Sequence, residues 1–306
     1  MAGVLLTGGT GLIGTHLCRK LLERGFDVAV LSRFAKPDGP VPVLHWNYES
    51  GEIDEEALNY TDFIIHLAGA NIGEKRWTER RKKQIIDSRV QSAEFLFETI
   101  TGMGIKPKAF ISASGIGYYG ALTEDRIFVE EDENQNDFVG RTCYLWEEAA
   151  DIFQDEGIRT VKLRTGIVMT SKGGAMARII ASLKFRTAAI LGNGNQYFPW
   201  IHIDDLCNIY IKALEDSKMS GAYNAAAPQH LTYRQLVRHL GGTFKKPLIT
   251  IRVPKPALKL VFGELSQILL EGSRISSQKL IDAGYRFEFS SIESTLADLF
   301  IKKPMI

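Results

Sequence analysis

Gly3-Val4-Leu5-Leu6-Thr7-Gly8-Gly9-Thr10-Gly11-Leu12-Ile13-Gly14 decides the fold. Val4-Leu5-Leu6 reads as a buried strand, Gly8 to Gly14 as a turn, and the spacing of Leu17, Leu21 and Leu22 as a helix that follows without a break. In that order, strand, turn and helix are the context in which a glycine fingerprint marks a dinucleotide site. Gly8 allows the tight turn, Gly11 lets the backbone approach a pyrophosphate, and Gly14 lets the helix pack closely on the sheet. The helix start offers free N–H groups and a positive dipole end to phosphates. Gly8, Gly9, Thr10, Gly11, Leu12 and Ile13 are the expected pyrophosphate cradle.

The next strand, Asp27 to Ser32, ends without the acidic residue that would hold an adenosine ribose; Ser32-Arg33 stands there instead. A carboxylate accepts from both ribose hydroxyls and repels a 2′-phosphate, whereas a guanidinium pairs with that phosphate through two parallel bonds. The cofactor expected from this exchange is NADP(H), held at Ser32 and Arg33 with Lys36 as a second cation.

Composition narrows the class. The chain has 306 residues, 45% apolar and 24% charged, enough for a large α/β domain with a smaller appendage. A net charge of +1 supplies no field for nucleic acid or an anionic membrane. Cys18, Cys143 and Cys207 are odd in number, far apart and without metal-ligand spacing, which favours a reducing compartment and argues against a disulfide framework or a zinc site. No apolar run is long enough to span a bilayer, and the first strand leaves no room ahead of it for a signal peptide, so the sequence is read as cytoplasmic.

Further along, Phe63 to Leu67 reads as a buried parallel strand ending in Ala68-Gly69, small residues over which a cofactor can lie; His66 within it reads as a packing histidine. A helix is expected from Thr78 to about Met103, with Arg76, Arg80, Arg81, Lys82 and Lys83 on a solvated face and Trp77 as a substrate-pocket wall. Ala109 to Gly115 is a strand that delivers Ser114, followed by Tyr118 and Tyr119, to the edge where a nicotinamide would lie. The acidic stretch Glu130 to Glu133 reads as a solvated loop. A helix opens at Gly173 and runs to about Phe185, Gln196 to Trp200 brings aromatics towards the cleft with Trp200 read equally as a second pocket wall or, with Phe198, as a core residue, and Asp204 is the expected cap of the next helix. Ala222 to Ala225 is a last strand, and Thr232 caps a further helix.

These segments resemble a family. Thr7 to Gly14, His66-Leu67-Ala68-Gly69, Ser112-Ala113-Ser114 with Tyr119-Gly120, Leu163-Arg164-Thr165-Gly166 and Trp200 to Asp205 occur in the order seen in extended short-chain dehydrogenases/reductases of the sugar-nucleotide epimerase type. Arg76-Trp77-Thr78, Gly117-Tyr118-Tyr119-Gly120, Trp146-Glu147 and the tail from Pro254 to Phe287 resemble its atypical branch of uncharacterised epimerase-family proteins. The resemblance implies a doubly wound parallel sheet (Rossmann fold) with a smaller C-terminal α/β substrate domain. The expected division is 1–165 and 204–227 for the first, 166–203 and 228–306 for the second. It also implies a homodimer through helices packed across a dyad.

The family's catalytic tyrosine, followed four residues later by a lysine, is absent: Tyr144 has Glu148 at that offset and Tyr119 has Thr123. Alignment of the helix puts the lysine near Trp146 and the tyrosine near Thr142. The acid or base must then come from Tyr118 or Tyr119 beside Ser114, from His202, or from Glu147. Two readings follow: an NADP(H)-dependent oxidoreductase or epimerase acting on a small polar substrate, or a catalytically silent NADP(H)-binding regulatory or interaction protein.

Overall fold

The computed structural model describes residues 1–34, 39–174, 176, 179, 187–243 and 249–302. The expectations for Lys36 and for a helix running to Phe185 fall outside the described residues. In chain order the first half contains β1 (Gly3–Thr7), α1 (Leu12–Glu23), β2 (Asp27–Ser32), β3 (Val43–Asn47), β4 (Glu52–Ile53), β5 (Phe63–His66) and α2 (Glu79–Gly102). Next come β6 (Ala109–Gly115), β7 (Ile127–Phe128), α3 (Phe138–Asp155) and β8 (Arg159–Thr165). The second half adds β9 (Ile167–Met169), β10 (Thr187–Leu191), β11 (Trp200–His202), α4 (Ile203–Glu215), β12 (Gly221–Ala225), α5 (Tyr233–Thr243), β13 (Ile249–Val253) and β14 (Arg274–Ile275).

Eight strands form the main sheet in the order β12-β8-β6-β5-β1-β2-β3-β4. Its pairings are parallel except for β3 with β4. The order runs outward in both directions from β1, so a crevice opens at the carboxyl ends of β1 and β5, where ligands of such sheets bind. Both faces are covered, which is why the central strands are continuous apolar runs rather than alternating ones. Val4 and Leu6 face a core shared with Leu17 and Leu21 of α1 and Leu206 and Tyr210 of α4. Leu5 faces the opposite core, with Leu96 of α2 and Phe153 of α3.

A separate core gathers Met169, Phe198, Trp200, Leu236, Leu240, Ile292 and Leu296. Around it, β10 pairs with β13 and β9 with β11. Near the end of the chain, Leu280 and Tyr285 join the main core. The reason is polar as well as apolar: the fully buried Asp205 carboxylate accepts from Tyr285 OH at 2.7 Å and from the backbone N–H groups of Glu288 and Phe289 at 2.9 Å each.

Helix starts follow side-chain capping. Thr78 Oγ1 accepts from the Arg81 N–H, Asp137 Oδ1 from the Gly140 N–H, and Thr232 shares a reciprocal pair with Gln235. The cap of α4 corrects the expectation: His202 Nδ1, not Asp204, accepts from the Asp204 N–H at 3.2 Å. Asp204 turns instead to α1, 2.7 Å from His16 Nε2 and 3.0 Å from Lys20 Nζ, and these partners hold its carboxyl well below the usual range.

Candidate functional site

The glycine turn cannot take side chains. Gly8 has φ +67°, and a Cβ there would lie 2.7 Å from Leu67 O; a Cβ on Gly14 would meet Gly8 O and lie 2.5 Å from Gly9 Cα. Gly11 is the N-cap of α1 and supplies no capping side chain, so the first-turn N–H groups have no side-chain acceptor. Thr10, Gly11 and Leu12 are exposed, Ile13 is half-buried, and Gly9 packs on Val30 of β2. Arg33, at the end of that strand, is exposed and makes no ion pair within the described residues; Ser32 Oγ accepts from the Phe34 N–H.

On the other side of β1, the Ala68 N–H donates to Thr7 Oγ1 at 3.1 Å, and the same hydroxyl lies 2.9 Å from His66 Nδ1. Ser92 Oγ is 3.2 Å from His66 Nε2. His66 is fully buried with both ring nitrogens engaged, and burial pushes it down to about 4, so it is a neutral packing group. Gly69 is exposed above Arg89 of α2, whose guanidinium would lie 3.0 Å from a Cβ at Gly69.

Arg89 is the group the sequence reading missed. It is 8% exposed, donates to Ala70 O at 3.1 Å and Ile85 O at 2.8 Å, and has no carboxylate within ion-pair distance among the described residues. Its guanidinium stacks on the Trp146 indole, 4.6 Å from the ring centroid. Burial pulls it down to about 10. A cation on the buried stripe of a helix, in line with Ile85, Ala93 and Leu96, was the available signal. Arg81 is on the same stripe: it is buried rather than solvated, bound to Asn71 O, Gln84 Oε1 and Glu74.

The expected catalytic hydroxyls are brought together, but behind the cleft. Ser114 Oγ donates to Glu147 Oε1 at 2.7 Å. Arg164 forks onto both oxygens of Glu147, at 2.8 and 2.9 Å, and donates to Tyr119 OH at 2.9 Å. Tyr119 OH in turn donates to Asn224 Oδ1 at 2.8 Å, and the Asn224 N–H donates to Glu130 Oε1 at 2.7 Å. All six residues are buried, so Glu130 is not part of a solvated loop. Burial raises the Tyr119 phenol, and burial also raises Glu130. For Arg164, burial pulls downward, but the Glu147 bonds and charge outweigh it and leave the guanidinium held charged. Half-buried Tyr118 lies under Arg164, 3.5 Å from its ring centroid, and burial raises its phenol as well.

His202 is 1% exposed and stacks on Phe289, with a ring distance of 3.8 Å. The fold brings its ring near the Asp204 and Asp298 carboxylates, a juxtaposition that sequence spacing does not reveal. Asp204 is already engaged by His16 and Lys20.

A cavity of about 570 Å³ adjoins the Arg89–Trp146 stack. Its wall includes Arg89, Gly115, Gly117, Thr142, Cys143 and Trp146 on one side, and Ile167, Gln196, Phe198 and Tyr233 on the other. Ser114, Tyr118, Tyr119 and His202 are not on that wall. Nor are Trp77 and Trp200: Trp77 is buried against Phe138 and donates to Ile72 O, and Trp200 is fully buried in the second core. Both tryptophans support the wall from behind. Thr142 Oγ1 donates to Phe138 O, and burial pushes the Cys143 thiol up to about 12, which leaves it protonated and unreactive. The described lining is mostly apolar.

The sheet order, the crevice at β1 and the glycine turn define a nucleotide-binding protein of the doubly wound α/β class. The chain belongs to the NAD dependent epimerase/dehydratase family, which it matches over residues 4–226, and residues 253–299 match a domain of unknown function. It is 32% identical to the epimerase family protein YfhF of Bacillus subtilis over 305 residues, 99% of each chain. The crystal structure of the human epimerase family protein SDR39U1 (isoform 2) with NADPH superposes with a TM-score of 0.85 at 29% identity, covering 98% of this chain and 99% of that one. A Thermus thermophilus UDP-glucose 4-epimerase in complex with NAD has a TM-score of 0.76 at 20% identity, over 98% and 97% of the two chains, which establishes a shared fold alone. Within the described residues, no helix is long and apolar enough to cross a membrane.

Proposed function

We propose that the protein is an NADP(H)-dependent oxidoreductase or epimerase acting on a small molecule without a tyrosine–lysine pair. The observation that carries this is the glycine turn, whose Gly8 and Gly14 positions leave no room for a Cβ and whose helix start has no side-chain cap. Gly8, Gly9, Thr10, Gly11, Leu12 and Ile13 would hold the pyrophosphate, Ser32 and Arg33 the 2′-phosphate, and Ala68 and Gly69 the wall beside it. The human relative crystallised with NADPH supports the same cofactor. When bound, the nicotinamide donates or accepts a hydride.

The chain's own residues then have to position the substrate and move a proton. Arg89, buried and without a carboxylate partner among the described residues, offers a fixed positive charge beside Gly69. Two phenols line the described wall; Tyr197 donates to Asp125 Oδ1 at 3.1 Å, whereas Tyr233, 7% exposed, makes no hydrogen bond through its hydroxyl within the described residues, and burial pushes it up to about 12. A phenol held protonated at neutral pH donates to a reacting oxygen.

A second reading, a cofactor-binding regulatory protein without turnover, is favoured by the engagement of Ser114 and Tyr119 in a buried network. Calorimetric titration with NADPH and NADH, on the wild type and Arg33→Ala, tests the cofactor. Selective weakening of NADPH supports the assignment, and equal losses for both nucleotides refute the role of Arg33. Tight NADPH binding with no hydride exchange across a panel of alcohols and ketones selects the regulatory reading.

A further inference from the structure

The cavity carries more information than its volume. Its described wall includes Ile72, Val139, Ile167, Val237, Phe262 and Leu265, none of which can replace water on a phosphate or a sugar hydroxyl. Besides Arg89, the charged side chain on this wall is Glu271, which is engaged by Thr123 Oγ1 at 2.7 Å and Lys255 Nζ at 3.2 Å. A nucleoside diphosphate sugar entering such a space would surrender hydration at many oxygens and recover few bonds.

Gln196 adds a specific polar point. Only 5% exposed, it donates through Nε2 to Leu191 O at 3.3 Å and to Leu269 O at 3.0 Å. Two carbonyl acceptors fix the orientation of the amide, because the opposite orientation would set oxygen against oxygen. Its Oε1 is thereby left as a fully enclosed acceptor, closed to the cavity and without a hydrogen-bond partner among the described residues. Beside it, the Tyr233 N–H donates to Gln196 O at 2.9 Å, which ties the anchored Gln196 to Tyr233, whose phenol makes no hydrogen bond among the described residues. An apolar wall with an unengaged phenol on it is a recognisable kind of small-molecule site.

We infer that this cavity binds a low-polarity alcohol, its apolar body against the wall and its hydroxyl accepting from the Tyr233 phenol, rather than a sugar nucleotide. Calling that alcohol a substrate rests on the oxidoreductase reading above; the binding site itself does not.

Nile red, an uncharged dye with no hydrogen-bond donor, is titrated into the full-length protein with and without NADP⁺, then competed with menthol, an apolar secondary alcohol, or with UDP-glucose. The expected result is saturable dye fluorescence that menthol displaces and UDP-glucose does not. Tyr233→Phe, which removes one hydroxyl from the wall, is expected to weaken menthol about tenfold while leaving the dye's affinity within about twofold. Val237→Arg, which sets a charge in the wall, is expected to abolish dye binding. NADPH calorimetry on each variant confirms that it is folded. Displacement by UDP-glucose, or no saturable dye binding while NADPH still binds, overturns the inference and leaves the cofactor reading standing. Unchanged menthol affinity in Tyr233→Phe overturns the hydroxyl contact. Menthol-displaceable dye binding without any NADPH binding supports the cavity's chemistry and refutes the cofactor reading alone.

Discussion

Arg164 closes a two-pronged bond onto Glu147, at 2.8 and 2.9 Å, with both side chains buried between β8 and α3. Ser114 and Tyr119 are tied to the same pair, so hydroxyls that look catalytic in sequence serve as its remaining hydrogen-bond partners. Removing one partner of a buried ion pair leaves an uncompensated charge, at a cost of roughly 3–5 kcal/mol. Glu147→Gln is therefore expected to lower unfolding stability by about that amount in urea titrations. Unchanged stability with lost turnover would show that Glu147 acts in chemistry instead.

Ser114→Ala removes one donor to Glu147 and leaves the Arg164 fork in place. Its expected cost is about 1 kcal/mol of stability. NADPH affinity should be unaltered by calorimetry.

His66 makes a pH prediction. Its ordinary value of 6.5 falls to about 4 in the folded chain because burial disfavours the charged ring. Above 6.5 the ring is neutral in both folded and unfolded states and adds no pH dependence. As pH falls below that value the unfolded chain takes up a proton that the folded chain refuses, so stability is lost progressively until about pH 4. The loss from this group is roughly 3 kcal/mol. Chemical denaturation across that window, repeated on His66→Gln, should show a shallower decline in the variant.

Arg89→Met is expected to weaken NADPH binding at least about tenfold, since it removes a buried guanidinium beside Gly69 that has no carboxylate partner among the described residues. Stability should change little, because the lost backbone hydrogen bonds are offset by removing an unpaired buried charge. Thermal unfolding without ligand, alongside calorimetry with it, separates the two effects.

Tyr233→Phe removes only the hydroxyl on the cavity wall. If the phenol is the proton donor, turnover should fall by about a hundredfold or more with NADPH affinity unchanged. Equal rates in wild type and variant would move the proton to another group.

Local pattern made the sheet and the turn legible. Val4-Leu5-Leu6 and Phe63 to Leu67 are apolar throughout because both sheet faces are covered, and the glycine spacing fits only a strand–turn–helix passage. The site was less legible because its partners are distant in sequence. Ser114, Glu147, Arg164 and Asn224 meet through four separate elements, and the hydroxyl of Ser114 is committed by residues that no local window contains. From their position in the motifs Trp77 reads as a pocket wall and Trp200 equally as a wall or a core residue, yet depth of burial is a property of packing that neighbouring residues do not specify. The cap of α4 failed for a similar reason: Asp204 has the better capping side chain, but His16 and Lys20 on α1 claim it first.

The clasp on Asp205 bears on how the chain folds. A carboxylate sealed from water at the start of α4 finds three of its donors in Tyr285, Glu288 and Phe289, some eighty positions downstream. Cutting the chain ahead of Tyr285 is expected to strand that charge in the interior and to destabilise the first of the two family-matched regions. They should melt together in one cooperative transition, with the tail as the last piece needed to seal the first domain.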